Sequence, residues 1–307
     1  MKIAFMFSGQ GSQYKGMGEE LYNNFDIVKI VFDNASRYLG YELTNIIFND
    51  EELLNNTLYT QVAIYTLEAA ILKLLKANGI ESEYSFGLSL GEYGAYLDSD
   101  VYTFEEGLAI LSKRSFFMNE AAVNYPGKMS AIIGIDKEVL LDVIDNKVDG
   151  YVKIANYNTY GQLVISGEEK AVISANKLLL EAGAKRAILL NTSGAFHSKM
   201  MTPAANNFAS YLDTVKLNEP NKKILVNVTG DFYKENIKEV MVNQITNSVM
   251  YYQMIEKLID NGVDTFIEIG PKKSLCGFVK KIDRKLKTLN VEDVSSFNNT
   301  VAYIKEN

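Results

Sequence analysis

The sequence predicts an α/β fold in which a small subdomain interrupts a larger domain. The chain begins with a strand pattern, Lys2–Phe7, followed by a glycine-rich turn, Gly9–Gln13. A second glycine-flanked turn, Gly87–Gly91, lies between a short strand and a helical pattern. Residues 128–191 then alternate strands and helices of their own. Such alternation is typical of α/β proteins, and 307 residues with 47% hydrophobic content are enough to build a sizeable core.

The elements of the larger domain follow from hydrophobic spacing and capping residues. Leucines and alanines at helical spacing predict a helix over Val62–Lys76, and a short strand follows at Glu83–Phe86. Residues 103–106 have the Thr-x-x-Glu form of a capping box, which predicts a helix over Phe104–Met118. We expect this larger, α/β-hydrolase-like domain to comprise residues 1–125 and 196–307.

Six short elements predict the small subdomain, residues 126–195. They are strand Met129–Ile135, helix Lys137–Ile144, strand Val152–Asn156, strand Leu163–Ser166, helix Lys170–Ala182 and strand Ala187–Leu190. This βαββαβ order is the ferredoxin-like arrangement, which can close on itself as a unit. Pro126-Gly127 and Gly194 provide hinges at its two ends.

Composition argues against several classes of protein. The single cysteine, Cys276, cannot form an intramolecular disulfide, and no residues have the spacing of zinc ligands, so neither a metal site nor a bound cofactor is expected. No apolar run approaches the span of a bilayer helix, and no leader pattern opens the chain, which predicts a cytoplasmic location without a membrane partner. The net charge of −7 argues against nucleic acid as the main partner.

The segment Gly87-Leu88-Ser89-Leu90-Gly91 has the G-x-S-x-G form of a nucleophile elbow, between a strand and a helix as that motif requires. A sharp strand-to-helix turn leaves no room for side chains beside the serine, so glycines flank it. The turn exposes the Ser89 hydroxyl and places the N–H of Leu90 at a helix N-terminus, where it stabilises negative charge. The alternative is a serine in an ordinary glycine turn, because a five-residue match alone is weak.

A serine nucleophile needs a base, and the chain has one histidine, His197. It follows the last strand of the small subdomain, at the junction where a cleft is expected. We therefore interpret His197 as the general base, against the alternative of a solvated loop histidine. No acidic residue stands in a recognisable motif as its partner, so either an unidentified carboxylate or a backbone carbonyl orients the imidazole.

Arg114 lies on or beside the apolar stripe of the helix that begins at Phe104. A buried guanidinium requires a planar anion, and a carboxylate is its usual partner. The partner is either one of the protein's own acids, in a structural salt bridge, or the carboxylate of a substrate. The serine elbow 25 positions upstream favours a substrate carboxylate.

Taken together, these motifs resemble the acyl-carrier-protein S-malonyltransferase family and the acyltransferase domains of fatty acid and polyketide synthases. The resemblance covers essentially the whole chain. It implies that Gln10, in Gly9–Gln13, donates the second oxyanion N–H beside that of Leu90. It also implies that the main chain of Gln244 holds the base. Phe196, Gln61 and Asn158 match further family segments and are expected at the substrate pocket.

The resemblance implies an acyltransferase that moves a malonyl group from malonyl-CoA to the phosphopantetheine thiol of acyl carrier protein, for fatty acid or polyketide synthesis. Ser89 would carry the malonyl group, His197 would move the proton and Arg114 would hold the malonyl carboxylate. The expected protein partner is an acidic acyl carrier protein, and the enzyme itself is expected to be a monomer. Leu88 departs from the family pattern, in which a histidine commonly precedes the nucleophile. The rival hypotheses are an α/β-hydrolase-type esterase and a non-catalytic scaffold.

A basic segment spans residues 272–287, with seven basic residues against one acidic residue and hence a local charge of +6. Its apolar residues fall at helical spacing, which predicts a helix that buries one side and displays charge on the other; they are Leu275, Phe278, Val279, Ile282 and Leu286. The simplest interpretation is a solvated helix face. Because an acidic enzyme needs a local positive surface to meet an acidic partner, we predict carrier-protein docking at Lys280, Lys281, Arg284 and Lys285.

Overall fold

Two β-sheets organise the protein, and helices cover them. The computed structural model describes all 307 residues and confirms a mixed α/β fold. The strands are β1 (Ile3–Phe7), β2 (Tyr84–Gly87), β3 (Gly127–Ile133), β4 (Val152–Thr159), β5 (Gln162–Glu168), β6 (Arg186–Leu189), β7 (Lys223–Val226), β8 (Asp231–Phe232), β9 (Thr265–Ile269) and β10 (Lys287–Val291). The helices are α1 (Glu19–Asn24), α2 (Asp26–Leu39), α3 (Leu43–Asn49), α4 (Glu51–Leu54), α5 (Thr57–Ala77), α6 (Glu92–Asp98), α7 (Phe104–Asn124), α8 (Lys137–Asn146), α9 (Glu169–Glu181), α10 (Thr202–Asp213), α11 (Ile237–Thr246), α12 (Tyr251–Asp260), α13 (Ser274–Ile282) and α14 (Val294–Glu306).

The larger sheet has the strand order β10-β9-β1-β2-β7-β8 and is parallel except for β8. Every residue of β1 and β9 is buried, as expected for central parallel strands covered on both faces. Phe7 pairs with Gly87, the last residues of β1 and β2. The carboxyl ends of these strands therefore lie side by side, and the turns that follow them emerge at one edge of the sheet. Such an edge is where open α/β sheets bind ligands.

The smaller sheet has the order β4-β5-β3-β6, with every neighbouring pair antiparallel. One face packs on α8 and α9 around its own apolar core. The opposite face contributes Met129, Ala131 and Val164 to the main core of the protein. A single parallel bridge joins Asn156 on β4 to Val249, which follows α11. The smaller sheet thus packs directly against the part of the chain that carries the larger one.

The helix boundaries differ from the sequence prediction by more than two residues at three places. Helix α5 begins at Thr57 instead of Val62, because the Asn56 side chain accepts the Leu58 N–H as an N-cap. Helix α7 continues six residues beyond the predicted end at Met118 and keeps burying alanines up to its last turn. The prediction that Leu286 lies on the helix of the basic segment was wrong. Helix α13 ends at Ile282, and the next residue is already extended.

Helix α5 is long and apolar enough to span a bilayer by length and composition, which corrects the expectation that no such segment exists. It is also the central core helix: from Thr60 to Leu72 every residue is buried. A buried core helix passes the same test of length and composition, so this property by itself points to neither environment.

Candidate active site

The Ser89 hydroxyl lies at the mouth of the elbow turn, 2.7 Å from His197 Nε2. A Cβ atom at Gly87 would lie 2.0 Å from the backbone carbon of Gly91, and one at Gly91 would lie 2.1 Å from the Phe7 carbonyl oxygen. Glycine is therefore required at both positions, because the turn that joins β2 to α6 is tight and packs directly against the end of β1. Ser89 itself adopts a left-handed backbone conformation, with φ 54°. Strain of this kind lifts the side chain out of the turn.

His197 follows β6 in the loop that leads to α10 and is 3% exposed, so it is not a solvated loop histidine. Its backbone is left-handed, with φ 58°, and the next residue, Ser198, donates its hydroxyl to the Ala195 carbonyl at 2.6 Å. His197 Nδ1 lies 2.9 Å from the main-chain carbonyl oxygen of Gln244. A carbonyl can only accept, so Nδ1 carries the proton and Nε2 is left to accept the serine hydroxyl. The orienting group is thus a backbone carbonyl and not a carboxylate.

Burial and the positive charge of Arg114 lower the pKa of His197 from 6.5 to about 4, against hydrogen bonds that raise it. The imidazole is therefore neutral at neutral pH, which is the form that can accept a proton. A base in this state is ready to act without first losing a proton to solvent.

The Arg114 guanidinium is 1% exposed and has no acidic residue within ion-pair distance. Nη1 donates to Gln61 Oε1 at 2.7 Å and Nη2 to Gln244 Oε1 at 2.9 Å. Nη2 also lies 3.5 Å from Ser89 Oγ, and Nε has no hydrogen-bond partner. The structural salt bridge considered from the sequence is therefore absent. Two neutral amides orient the cation and leave its charge free for an anion beside the serine.

Gln244, on α11, contacts all three of these functional groups. Its main-chain carbonyl holds His197, its Oε1 accepts from Arg114, and its Nε2 donates to the Ser89 carbonyl oxygen at 2.9 Å. The family resemblance implied only the first of these contacts. No local sequence signal could have indicated the other two, because they join residues 130 and 155 positions apart.

The glycine-rich turn after β1 lies against the elbow. A Cβ atom at Gly9 would lie 2.7 Å from the Leu88 carbonyl oxygen, so only glycine permits this approach. The Gln10 side chain donates to Thr57 Oγ1 at 3.0 Å, which ties the turn to the start of α5. Leu90 is buried in the single 3₁₀ turn, Ser89–Gly91, that precedes α6. The two predicted oxyanion residues thus follow neighbouring strands: Gln10 comes after β1, and Leu90, within the elbow, comes after β2.

A cavity of about 600 Å³ opens over the serine, within the usual range for small-molecule sites. Phe196 and Asn158 line it, are 6% and 5% exposed, and come from the two sides of the cleft. Asn158 Oδ1 has no hydrogen-bond partner and is free to receive one from a ligand. Gln61 is fully buried and does not line the cavity; it acts on the cavity through Arg114.

Comparison with known proteins places this geometry in a family. The acyl transferase domain family matches residues 4–302. The chain is 42% identical to the malonyl CoA-acyl carrier protein transacylase of Bacillus subtilis over 99% of this chain and 98% of that protein. The chain belongs to the malonyl-CoA:acyl-carrier-protein transacylase family.

Solved structures of other transacylases agree. The enzyme from Clostridium perfringens superposes with a TM-score of 0.94 at 43% identity, covering 100% of this chain and 98% of that one. The transacylase PlMCAT, solved in complex with the type II polyketide-synthase acyl-carrier protein AntF, superposes with a TM-score of 0.96 at 32% identity. That match covers 99% of this chain and 100% of the other.

In this family member the cavity has apolar walls that the sequence did not single out. They are Met118, Met129, Val164 and Leu190, which come from α7, from the smaller sheet and from the segment after β6. Their spacing is that of ordinary core residues, so only the packing of the two sheets shows that they face a cavity. Leu88, the residue before the elbow serine, also lines this cavity and packs against the core beneath it.

The basic segment begins at the cavity and ends at the surface. Leu275 and Phe278, in α13, line the cavity. Lys281, Arg284 and Lys285 are exposed, and the Lys281 amine donates to Gln162 Oε1 of the smaller sheet at 2.8 Å. Lys280 differs from the other three predicted docking residues. It is only half-exposed, and its amine donates to the backbone carbonyls of Arg284 and Leu286, which ties α13 to the turn that follows it.

Proposed function

We propose that this protein transfers a malonyl group from malonyl-CoA to the phosphopantetheine thiol of an acyl carrier protein, in fatty acid or polyketide synthesis, through a malonyl ester of Ser89. The observation that carries the proposal is the buried Arg114, whose guanidinium faces the serine with only neutral side chains to hold it. An uncompensated buried cation favours an acyl group that brings its own carboxylate. The names of the relatives indicate the same acyl group and acceptor.

In the first half-reaction, His197 Nε2 takes the hydroxyl proton as Ser89 Oγ attacks the thioester carbonyl carbon. The resulting oxyanion accepts hydrogen bonds from the N–H groups of Gln10 and Leu90. When the carbon–sulfur bond breaks, the imidazolium returns its proton to the leaving coenzyme A thiol. The product is malonyl-O-Ser89 and free coenzyme A.

In the second half-reaction, the phosphopantetheine thiol gives its proton to His197 and attacks the ester carbonyl. Ser89 then leaves and recovers the proton. Arg114 holds the malonyl carboxylate throughout, while Gln61 and Gln244 keep the guanidinium oriented. Acetyl-CoA is a poor substrate on this mechanism, because it leaves the buried guanidinium unpaired. Side chains and backbone N–H groups supply every step, so the mechanism includes no metal or bound cofactor.

We further propose that the larger part of the chain, residues 1–125 and 196–307, is an α/β-hydrolase-like domain with a nucleophile elbow. Residues 126–195 would form an inserted ferredoxin-like subdomain. The strand order β4-β5-β3-β6, with α8 and α9 on one face, supports the second assignment. The strand–turn–helix that presents Ser89 supports the first. The enzyme would act as a cytoplasmic monomer.

The docking surface for an acidic carrier protein would be the exposed charges Lys281, Arg284 and Lys285. Lys280, which was predicted with them, would contribute less because its amine is bound to the backbone. The position of α13 supports this proposal: it lines the cavity with its first turns and leads to the charged surface beyond. A carrier seated there could deliver its arm to Ser89.

Intact-mass analysis after mixing with malonyl-CoA tests the proposed function. We expect one malonyl adduct, located at Ser89 by peptide mapping, and its discharge when holo-acyl carrier protein is added. Ser89→Ala should fold normally and form no adduct. Release of free malonate without an adduct would indicate a hydrolase, and neither adduct nor turnover would indicate a scaffold; either result contradicts the proposal.

A further inference from the structure

The backbone of Ser89 occupies a left-handed conformation that a serine adopts only when its surroundings hold it there. Two peptide planes meet at its Cα atom. One carries the Ser89 N–H, and the other carries the Ser89 carbonyl together with the N–H of Leu90. The orientation of these planes sets the direction of the hydroxyl and of the oxyanion donor.

Asn227, directly after β7, holds the first plane. Its Oδ1 accepts the Ser89 N–H at 2.7 Å, and its Nδ2 donates to the Gly87 carbonyl at 2.7 Å. The ladder between β2 and β7 pairs only Tyr84 and Ser85. Beyond this ladder, the side-chain amide of Asn227 supplies the hydrogen bonds to the turn: its oxygen accepts from Ser89 and its nitrogen donates to Gly87.

Asn227 is itself fixed. It is fully buried, its N–H donates to the Glu92 carboxylate in α6, and its carbonyl accepts the Met250 N–H at 2.8 Å. It does not line the cavity and contacts neither His197 nor Arg114. Any effect of its side chain on the reaction must therefore pass through the elbow.

Gln244 holds the second plane. Its Nε2 donates to the Ser89 carbonyl oxygen at 2.9 Å. In a trans peptide the carbonyl and the following N–H point in opposite directions. Because Gln244 fixes the direction of the Ser89 carbonyl, it also fixes the direction of the Leu90 N–H, which points away from Gln244.

We propose that the side-chain amides of Asn227 and Gln244 form a clamp on the two peptide planes of Ser89, and that this clamp positions the hydroxyl and the Leu90 oxyanion donor for acylation. The two are positioning residues, which act through Ser89 and Leu90. The proposal rests on the proposed function only in taking Ser89 as the nucleophile. Asn227 is the cleaner probe, because Gln244 also contacts the base and the cation.

The first test is Asn227→Ala, with the first-order rate of Ser89 malonylation measured by quenched flow and intact mass. A small displacement of the hydroxyl and of one oxyanion donor should slow acylation about tenfold to a hundredfold and leave the KM for malonyl-CoA within about twofold. The matched control is Ser85→Ala, which removes a buried hydrogen bond to Asp98 from the same strand β2 without touching the elbow. It should keep the wild-type acylation rate whatever its melting temperature.

The second test is Asn227→Asp, which keeps the shape of the side chain. A protonated carboxyl group offers one acceptor and one donor, as the amide does, whereas the carboxylate turns an acceptor toward the Gly87 carbonyl. The ionisable groups of the surrounding elements, Glu92, Arg114 and His197, are common to variant and wild type. Because Glu92 accepts the N–H of residue 227, the introduced carboxyl group and Glu92 titrate as a pair, and the ratio of the acylation rates reports that pair. We expect a ratio within about threefold of one at pH 5, falling toward that of Asn227→Ala as the pH rises to 9.

An Asn227→Ala rate within threefold of wild type would overturn the clamp, and so would an Asn227→Asp ratio that does not change with pH. If the alanine variant does not fold, the pH ratio decides alone. Failure of the clamp is distinguishable from failure of the proposed function: in the first case wild type and variants acylate equally, and in the second the wild type itself forms no adduct.

Discussion

Two buried charges lie in neighbouring helices, one in α6 and one in α7, and they differ in how the protein compensates them. Asp98, at the end of α6, is 1% exposed and forms ion pairs with Lys76 and Lys222, each at 2.8 Å, in addition to hydrogen bonds from nearby serines. Arg114, in the facing helix α7, is equally buried but forms no ion pair; it donates to the neutral amides of Gln61 and Gln244 and lies over the ring of Tyr93.

On the proposed function, the difference separates a charge that stabilises the fold from one that binds a ligand. Burial alone would raise the pKa of Asp98, but Lys222 and Lys76 outweigh it and the pKa is lowered. Its charge is satisfied within the protein. Arg114 forms no ion pair, and the pKa of Glu92, the nearby acid whose charge it attracts, is raised by burial to about 7, so the burial of Arg114 is a cost to the free enzyme that a bound carboxylate reduces. On the proposed function, stability and specificity thus depend on different residues in two neighbouring helices.

The largest expected effect is at Arg114. Arg114→Ala should lower the preference for malonyl-CoA over acetyl-CoA about a thousandfold, because alanine removes both the partner of the malonyl carboxylate and the penalty against acetyl. Acylation rates with the two thioesters measure this preference. Equal loss for both would mean that Arg114 is structural, and the contrast with Asp98 would fail.

The next effect concerns the base beside this unpaired cation. His197→Ala should slow acylation about a hundredfold or more. In the wild type, a His197 pKa of about 4 predicts that the acylation rate stays level from pH 8 to about pH 5 and falls by half near pH 4, as the imidazole becomes protonated. A fall in the acylation rate centred near pH 6.5 would show that burial and Arg114 do not lower the pKa of His197.

Asp98 should show the opposite behaviour. Asp98→Asn removes the ionic partner of two partly exposed lysines and should lower the free energy of unfolding by about 2 kcal/mol, measured in urea, with acylation of the folded enzyme unchanged within about twofold. Because the pKa of Asp98 is lowered on folding, its contribution is present above pH 4 and is lost as the pH falls through the folded value. The control is Asp142→Asn, whose ion pair with Lys147 is solvent-exposed and should matter little.

The smallest effect is expected at the exposed charges. Reversing Lys281, Arg284 and Lys285 to glutamate should slow transfer to carrier protein several-fold at low salt and less at high salt, with malonyl loading nearly unchanged. Reversing Lys73, Lys177 and Lys216 instead, which are exposed and lie outside the basic segment, serves as a control of equal charge. If malonyl loading falls as much as transfer does, the basic segment binds coenzyme A or stabilises the fold. If neither rate changes, the basic segment is a solvated surface.

The sequence predicted best what local geometry dictates. The glycines around Ser89 indicated the elbow because the turn excludes side chains there, and the capping box at Thr103 placed the start of α7 correctly. Contacts across the fold could not be predicted in this way. Asn227 meets Ser89 across 138 positions and carries no motif. Leu286 continues a helical spacing beyond the helix itself, because its burial depends on packing and not on α13.

Gln244 has a consequence for the energetics of the whole site. Its main chain binds the imidazole of His197, and its two amide atoms bind the Arg114 guanidinium and the Ser89 carbonyl. The positions of these three groups therefore depend on one residue. The effects of substitutions at residues that contact one another through such a residue do not add, because the first substitution already displaces the other groups. Gln244→Ala removes the two amide contacts and keeps the main-chain contact to His197, so a double-mutant cycle that pairs it with Arg114→Ala should give an interaction energy well away from zero. Equivalent cycles with Asp98→Asn should be additive, which would identify the site as one cooperative unit within an otherwise independent framework.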